Sequence, residues 1–119
     1  MKDNSFSSPD FYKIDDLLTE EHKLIRESTR SWVNKAVSPI IEEYAQKAEF
    51  PSELISGLAE IGAFGPYIPT KYGGGGLDEI SYGLMMQEIE RGDSGIRSTA
   101  SVQSSLVMFP IRKFGSDEQ

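Results

Sequence analysis

Apolar residues recur at helical spacing along most of this chain. A first helix is predicted to open at Thr19, an N-cap residue type, because Glu20 and Glu21 behind it favour the positive end of the helix dipole. Proline and glycine mark two further helices, one from Pro39 and one from Pro51 to Gly62. The apolar positions that define these three helices are Leu24, Ile25, Trp32, Val33 and Ala36, then Ile40, Ile41, Tyr44 and Ala48, then Leu54, Leu58 and Ile61.

The second half of the chain continues in the same way after a connector rich in glycine and proline, residues 62–76. A fourth helix is predicted from Leu77 or Asp78 to about Arg91, and Gly92 ends it. A fifth runs from near Ser94 to Phe114, with Pro110 expected to kink or weaken its last turns. No segment keeps the strict alternation of a strand, so we expect an all-α fold, an orthogonal bundle of about five to six helices.

The two ends differ from the middle. Residues 1–18 predict an irregular arm, residues 19–114 the helical domain, and residues 115–119 the start of another helix. Ser116 and Gln119 have the spacing of a capping box, with acidic residues between them. A natural protein seldom ends on a helix start signal, so we expect this chain to be the N-terminal fragment of a longer protein.

Composition excludes several kinds of function. The 119 residues carry 19 acids against 12 bases, a net charge of -7, which argues against binding to nucleic acid or to an anionic membrane. The chain has no cysteine and one histidine, so no metal site is expected. It also lacks a signal-peptide core and any apolar run near the roughly 20 residues of a membrane span. We expect a cytoplasmic protein.

The run Gly73-Gly74-Gly75-Gly76 is the first candidate for chemistry. A phosphate-binding loop needs a preceding strand and a Lys-Ser/Thr pair at the next helix start, and neither is present. Asp78 and Glu79 would also repel a phosphate. The run is therefore interpreted as a flexible turn between two helices.

Arg97 is the one charged residue in an otherwise small or apolar segment, residues 94–109. Such a segment is typical of a buried helix, and a buried arginine needs an anionic partner. In the first turn of the fifth helix, Arg97 and the helix dipole could bind one anion together, with Ser101 on the same face. The alternative is internal pairing with Glu90 or Asp93, the serines merely allowing close helix packing. Val102, Leu106 and Phe109 are expected to pack into the core.

Two further groups are weaker candidates. Glu88 and Glu90 are a pair of carboxylates of the kind used in acid–base chemistry, but residues two apart on a helix point in different directions, so a solvated or salt-bridged helix end is favoured. His22 lies among charged residues in the first helical turn and is predicted to be at the surface.

A family resemblance covers about residues 10–119. The sequences Gly62-Ala63-Phe64-Gly65, Pro69-Thr70-Lys71-Tyr72-Gly73-Gly74 and Gly76-Leu77 resemble the connector of flavin-dependent acyl-CoA dehydrogenases. Residues 87–98, ending in Ser94-Gly95-Ile96-Arg97-Ser98, and the following segment 101–108 are similar to the glutaryl-CoA dehydrogenase branch of that family. Ile96 departs from relatives in which an aromatic stands there.

The resemblance implies a site and a reaction. Arg97 would bind the distal carboxylate of glutaryl-CoA, Ser98 and Ser101 would line the acyl pocket, and Glu90 would place the arginine. FAD and the catalytic glutamate would belong mostly to later domains, so this chain would hold no catalytic residue and retain no FAD. The full-length enzyme, expected to be a homotetramer, would dehydrogenate and decarboxylate glutaryl-CoA to crotonyl-CoA and pass electrons to an electron-transfer flavoprotein.

Two other functions stay open at this point. The chain could be a stand-alone acidic helical interaction module without a ligand. It could also belong to an acyl-CoA dehydrogenase for another acyl chain, in which case Arg97 would have no substrate carboxylate to bind.

Overall fold

Six α-helical segments form the framework of residues 9–119, the part of the chain that the computed structural model describes. No strand occurs within these residues, and the predicted all-α fold is confirmed. The helices are α1 (Glu20–Trp32), α2 (Ile41–Lys47), α3 (Leu54–Glu60), α4 (Glu79–Gly92), α5 (Ser94–Ser101) and α6 (Phe109–Phe114). Two π-helical segments, Val33–Val37 and Val102–Met108, extend α1 and join α5 to α6, and short 3-10 helices span Ile14–Leu17 and Thr70–Tyr72.

The predicted fifth helix is thus one continuous helical stretch, residues 94–114, with a wider middle part. Its irregularity lies before Pro110 rather than at it, in the π-helical segment Val102–Met108. Pro110 has no N–H to donate to the turn behind it, which is compatible with a locally altered hydrogen-bond pattern there.

Helix α4 lies at the centre and packs on α1 on one side and on α5 on the other. The core is formed by the buried side chains Val33, Val37, Leu54, Leu58, Ala63, Met85, Met86, Ile89, Ile96 and Ala100. Gly92, the last residue of α4, faces the π-helical extension of α1, where a Cβ would come within 2.7 Å of Val33 Cγ1. The absence of a side chain at Gly92 lets the two helices approach closely.

The predicted burial of some apolar residues is wrong. Val102 and Leu106 are 47% and 69% exposed in the π-helical segment. Phe109 is only partly buried. The helical spacing of these residues is regular, but α4 packs mainly on α5, the first part of the 94–114 stretch, rather than on the segment that carries Val102 and Leu106.

His22 is buried, with only 5% of it exposed, so the prediction that it lies at the surface is wrong. The Thr19 hydroxyl accepts from the His22 backbone N–H, and His22 Nδ1 accepts from the Thr19 N–H, each at 3.2 Å, so His22 replaces the usual acid of a capping box. This leaves Nε2 as the donor to Asp78 Oδ2, at 2.7 Å. Asp78 also caps α4, because its Oδ1 accepts from the Ser81 N–H at 2.8 Å. One histidine therefore joins the N-termini of α1 and α4.

The side chain of Glu88 is 1% exposed and pairs with Arg30 across the interface of α1 and α4. Arg30 Nε and Nη2 donate to the two carboxylate oxygens at 2.9 and 2.8 Å, a forked geometry, and this bond raises the pKa of Arg30. Of the predicted alternatives for Glu88, the salt bridge is the one observed.

The described part of the predicted arm is fixed in a similar way. At the start of its 3-10 helix, Ile14–Leu17, the N–H groups of Ile14 and Asp15 donate to the Asp10 carboxylate. Asp15 forms a forked pair with Arg26 of α1 at 2.6 and 2.8 Å, and this bond lowers the pKa of Asp15. Residues 1–8 lie outside the described residues. At the other end, Ser116 and Gln119 make the reciprocal hydrogen bonds of a capping box, while the helix that they would start stays a prediction.

Removing the cation that pairs with the buried Glu88 tests how much this pair stabilises the fold. We expect Arg30→Met to lower the free energy of unfolding by about 3 kcal/mol, because Glu88 is left buried with one weaker partner, Arg91 Nη2 at 3.5 Å. Lys47→Met, which breaks the exposed pair with Glu43 on α2, should change it by less than about 0.5 kcal/mol. Urea unfolding measures both, and equal effects would contradict the role given to the buried pair.

The hydrogen bonds of Asp78 predict that the free energy of unfolding falls at low pH. Those from Ser81 and His22 lower the pKa of Asp78 from 3.8 to about 2. Because the folded pKa lies below the ordinary value, the stabilisation is complete above about pH 4 and is lost as the pH falls through about 2. Asp78→Asn keeps a capping oxygen but cannot titrate, so its unfolding free energy should fall less steeply over this range. Asp16→Asn, at an exposed position, should keep the slope of the parent chain.

Candidate functional site

The junction between α4 and α5 builds the candidate site. Helix α4 ends at Gly92, Asp93 is extended, and α5 begins at Ser94. The Asp93 carboxylate accepts from the Ile96 N–H at 2.9 Å, which satisfies an unpaired donor in the first turn of α5. The turn therefore needs a single residue, and it brings the last turn of α4 against the first turn of α5.

Arg97 lies in this first turn and contacts both helices. Its Nε donates to Glu90 Oε2 at 2.6 Å and its Nη1 donates to Ser101 Oγ at 3.2 Å. The Arg97 side chain is 33% exposed, so the expectation of a buried arginine is wrong. The segment that carries it is charge-poor, but solvent reaches this face of α5. Of the two internal partners considered, Glu90 is the one that Arg97 contacts.

Both oxygens of the Glu90 carboxylate are engaged. Oε2 accepts from Arg97, and Oε1 accepts from the Ser94 hydroxyl at 2.6 Å. The hydroxyl of Ser94 and the guanidinium of Arg97 lower the pKa of Glu90, in that order of importance. The arrangement favours a charged Glu90, which in turn holds the guanidinium plane of Arg97.

Ser98 contributes to a different surface. It lines an open cleft of about 690 Å³ together with Ile55, Phe64, Thr99, Val102, Gln103 and Met108. Most of this lining is apolar, as expected for a site that accepts a hydrocarbon chain. Ser101 connects the two regions, because its hydroxyl accepts from Arg97 and donates to the Ser98 carbonyl at 3.2 Å.

The π-helical segment Val102–Met108 is fixed to the connector by hydrogen bonds that the sequence did not suggest. The buried Ser104 hydroxyl accepts from the Gly65 N–H at 2.9 Å and donates to the Ala63 carbonyl at 3.1 Å. Tyr67 donates to the Ser104 carbonyl at 2.9 Å. One wall of the cleft is therefore held against the connector by paired polar groups. The available sequence signal for this contact is a serine in an apolar helical run, but that pattern by itself indicates only a small residue.

The chain matches a known family over most of its length. The sequence profile described as "Acyl-CoA dehydrogenase, N-terminal domain" covers residues 19–119. The chain belongs to the acyl-CoA dehydrogenase family. The family recognised from the connector and from the Arg97 segment is thereby confirmed.

Relatives within the acyl-CoA dehydrogenase family act on different compounds. A structure of glutaryl-CoA dehydrogenase from Mycobacterium smegmatis is 42% identical, has a TM-score of 0.82, and matches 88% of this chain and 27% of that one. A glutaryl-CoA dehydrogenase from the same organism in complex with FADH2 is 38% identical, with a TM-score of 0.85, over 90% of this chain and 28% of that one. The 3-(aryl)acrylate reductase of Clostridium sporogenes is 38% identical over 101 residues, 85% of this chain and 27% of its own length. This chain thus spans about a quarter of the length of these relatives.

The glycine run of this chain offers no free backbone N–H groups to a phosphate. The N–H groups of Gly74, Gly75 and Gly76 donate to the carbonyls of Pro69, Gly65 and Ile68, so they are taken by the chain itself. A Cβ at Gly74 would lie 2.1 Å from the Ile68 carbonyl oxygen, which explains why glycine is needed in so tight a loop. The run is a turn between two helices, as predicted, but a hydrogen-bonded one.

Residues 9–119 contain neither a cluster of metal-binding side chains nor a helix that could span a membrane. No group of three or more His, Cys, Asp or Glu side chains there is arranged to hold a metal ion. No helix in the same range is both long enough and apolar enough to cross a membrane.

Ser104 provides a test of how the cleft is held. We expect Ser104→Ala to lower the free energy of unfolding by about 1–3 kcal/mol, because it leaves the buried N–H of Gly65 and carbonyl of Ala63 without this partner. Ser56→Ala, at an exposed position on α3, should cost less than about 0.5 kcal/mol. Urea unfolding of both variants is the measurement. A loss at Ser104 no larger than that at Ser56 would show that water replaces the hydroxyl.

Proposed function

We propose that this chain is the N-terminal helical domain of an FAD-dependent glutaryl-CoA dehydrogenase and that it supplies part of the acyl pocket. The observation that carries the proposal is the geometry of Arg97, which is held by Glu90 and Ser101 yet remains partly exposed at the start of α5. An arginine used only for structure would be expected to spend its donors within the chain.

Arg97 has unused capacity to bind a carboxylate. Nε and Nη1 each donate one hydrogen bond, and Nη2 donates none to the described residues. A guanidinium presents its donors in a fixed plane that matches a carboxylate. The proposed ligand for these donors is the distal carboxylate of glutaryl-CoA, and the positive end of the α5 dipole would act on the same charge.

The other proposed site residues have distinct roles. Ser98 would line the acyl pocket from the cleft, and Ser101 would line it while orienting Nη1 of Arg97. Glu90 would place Arg97 without touching the substrate. None of the four is proposed to be catalytic, because the resemblance assigns proton abstraction to a glutamate of a later domain.

The full-length protein is proposed to bind FAD, which accepts a hydride in the α,β-dehydrogenation of an acyl-CoA. Since the glycine run of this chain offers no phosphate site, FAD would be held mainly by later domains and would not be retained here. The resemblance further supports an electron-transfer flavoprotein as electron acceptor, a homotetrameric assembly and decarboxylation to crotonyl-CoA. The chain by itself is proposed to be inactive, and its cytoplasmic location stays a prediction.

A second candidate is an acyl-CoA dehydrogenase for another acyl chain. It is favoured by the similarity to a 3-(aryl)acrylate reductase, since an arylacrylate has no second carboxylate. The predominantly apolar cleft would suit such a chain, and Arg97 would then act only through its pair with Glu90. The third alternative, an interaction module unrelated to enzymes, is disfavoured by membership of the family.

Arg97→Met in the full-length enzyme separates the two enzyme candidates. We expect kcat/KM for glutaryl-CoA to fall by about tenfold to more than a hundredfold, the equivalent of losing one hydrogen bond to a charged group. Activity on butyryl-CoA, which has no distal carboxylate, should stay nearly unchanged. Arg97→Lys should recover part of the loss, because a point charge cannot reproduce the planar donors.

Lys35→Met, which removes an exposed cation from the extension of α1, is the matched control and should affect neither substrate. Equal losses on both substrates in Arg97→Met would mean that Arg97 stabilises the junction through Glu90, and the proposed ligand role would be wrong.

A further inference from the structure

We propose that Ser94 is a positioning residue for substrate selectivity. Its hydroxyl donates to one oxygen of Glu90 and thereby keeps Nη2 of Arg97 available as a donor to the substrate. The inference rests on the proposed function of Arg97 as the group that binds a distal carboxylate. Ser94 itself is not placed against the substrate.

The first argument comes from the other arginine–carboxylate pairs of the chain. Arg30 and Arg26 each bind their partners, Glu88 and Asp15, through two donors and both carboxylate oxygens. Such forked pairing is the arrangement that a guanidinium and a carboxylate favour when nothing else competes. These two arginines connect elements of the fold.

Arg97 and Glu90 do not adopt the forked arrangement. Only Nε of Arg97 donates to Glu90, at 2.6 Å to Oε2. The second oxygen, Oε1, instead accepts from the Ser94 hydroxyl at 2.6 Å. Ser94 therefore holds the carboxylate in a position where one oxygen, rather than two, is directed at the arginine.

The consequence concerns the donors that would face a substrate. If the Ser94 hydroxyl were absent, Oε1 would be free to turn toward Nη2, because the terminal torsion of a glutamate side chain is soft. The side chain of Glu90 is 44% exposed, so packing would not prevent this movement. A forked pair would then engage the donor that the proposed function assigns to the substrate carboxylate.

The position of Ser94 makes this role specific to the junction. Ser94 is the first residue of α5 and lies four residues after Glu90, so its hydroxyl reaches back across the single-residue turn at Asp93. It has no hydrogen bond to the cleft among the contacts of the described residues. Its effect on a substrate would pass through Glu90 and Arg97.

The test compares Ser94→Ala and Ser94→Thr in the full-length holoenzyme. We expect Ser94→Ala to raise KM for glutaryl-CoA by about three- to tenfold, the range of one ordinary hydrogen bond, with kcat and the activity on butyryl-CoA little changed. Ser94→Thr keeps a hydroxyl and should restore most of the loss. Ser28→Ala, at an exposed position on α1, should leave both substrates unaffected.

A double-mutant cycle supplies a readout that a purely structural role would not give. In a Glu90→Ala background, Ser94→Ala should cause no further change in KM, because both substitutions act on one interaction. Additive losses, a loss shared by butyryl-CoA, or a Ser94→Ala variant equal to the parent would each overturn the inference.

The Arg97→Met result distinguishes this inference from the proposed function. If Arg97→Met shows no preference for glutaryl-CoA, the proposed function fails and the role of Ser94 fails with it. If Arg97→Met is selective but Ser94→Ala is not, only the role of Ser94 is overturned.

Discussion

The cap that Asp93 places on α5 is the constraint on which the candidate site depends. Its carboxylate satisfies the N–H of Ile96, and this allows α5 to begin immediately after α4 has ended. A longer loop would move the two helical turns apart. With a single-residue turn, Glu90 at the end of α4 can meet Ser94 and Arg97 at the start of α5.

Charged residues in this acidic chain divide between two tasks. Glu88 and Asp15 are paired through forks with Arg30 and Arg26, and these pairs attach α4 and the 3-10 helix to α1. Such pairs help to define which surfaces meet, although their net contribution to stability is offset by the cost of removing charges from water. The contact of Arg97 with Glu90 is made through one donor and lies nearer to solvent, so it is the pair suited to exchange with a ligand.

The exposed side chains of the 94–114 stretch fit a domain that belongs to a larger family architecture. Val102, Leu106 and Val107 are exposed on the π-helical segment, and Val102 also lines the cleft beside Ser98. The relatives are more than three times as long as this chain, since 88% or 90% of it covers only 27% or 28% of the two structures compared. A surface of this kind is typical of one that another part of a protein covers.

The amino-acid sequence by itself determined the helices, because their signals are local. Thr19 and Asp78 or Leu77 marked helix starts, Gly92 and Gly115 marked ends, and helical spacing identified residues that lie in the core, such as Val33 and Leu58. The same signals placed Arg97 in a first helical turn, with Ser101 one turn further along. The helix boundaries and the placement of Arg97 follow from neighbouring residues alone and need no knowledge of distant ones.

Tertiary structure decided which side of each helix is covered and how each polar group is paired. His22 is buried because α1 and α4 begin side by side, and the sequence separation of 56 residues from Asp78 hid this contact. Leu24 and Leu106 are exposed because no described helix covers them, although their spacing is that of core residues. Periodicity defines a face of a helix, but only packing determines its neighbour, and so the partners of Glu88, Ser104 and Arg97 followed from the fold.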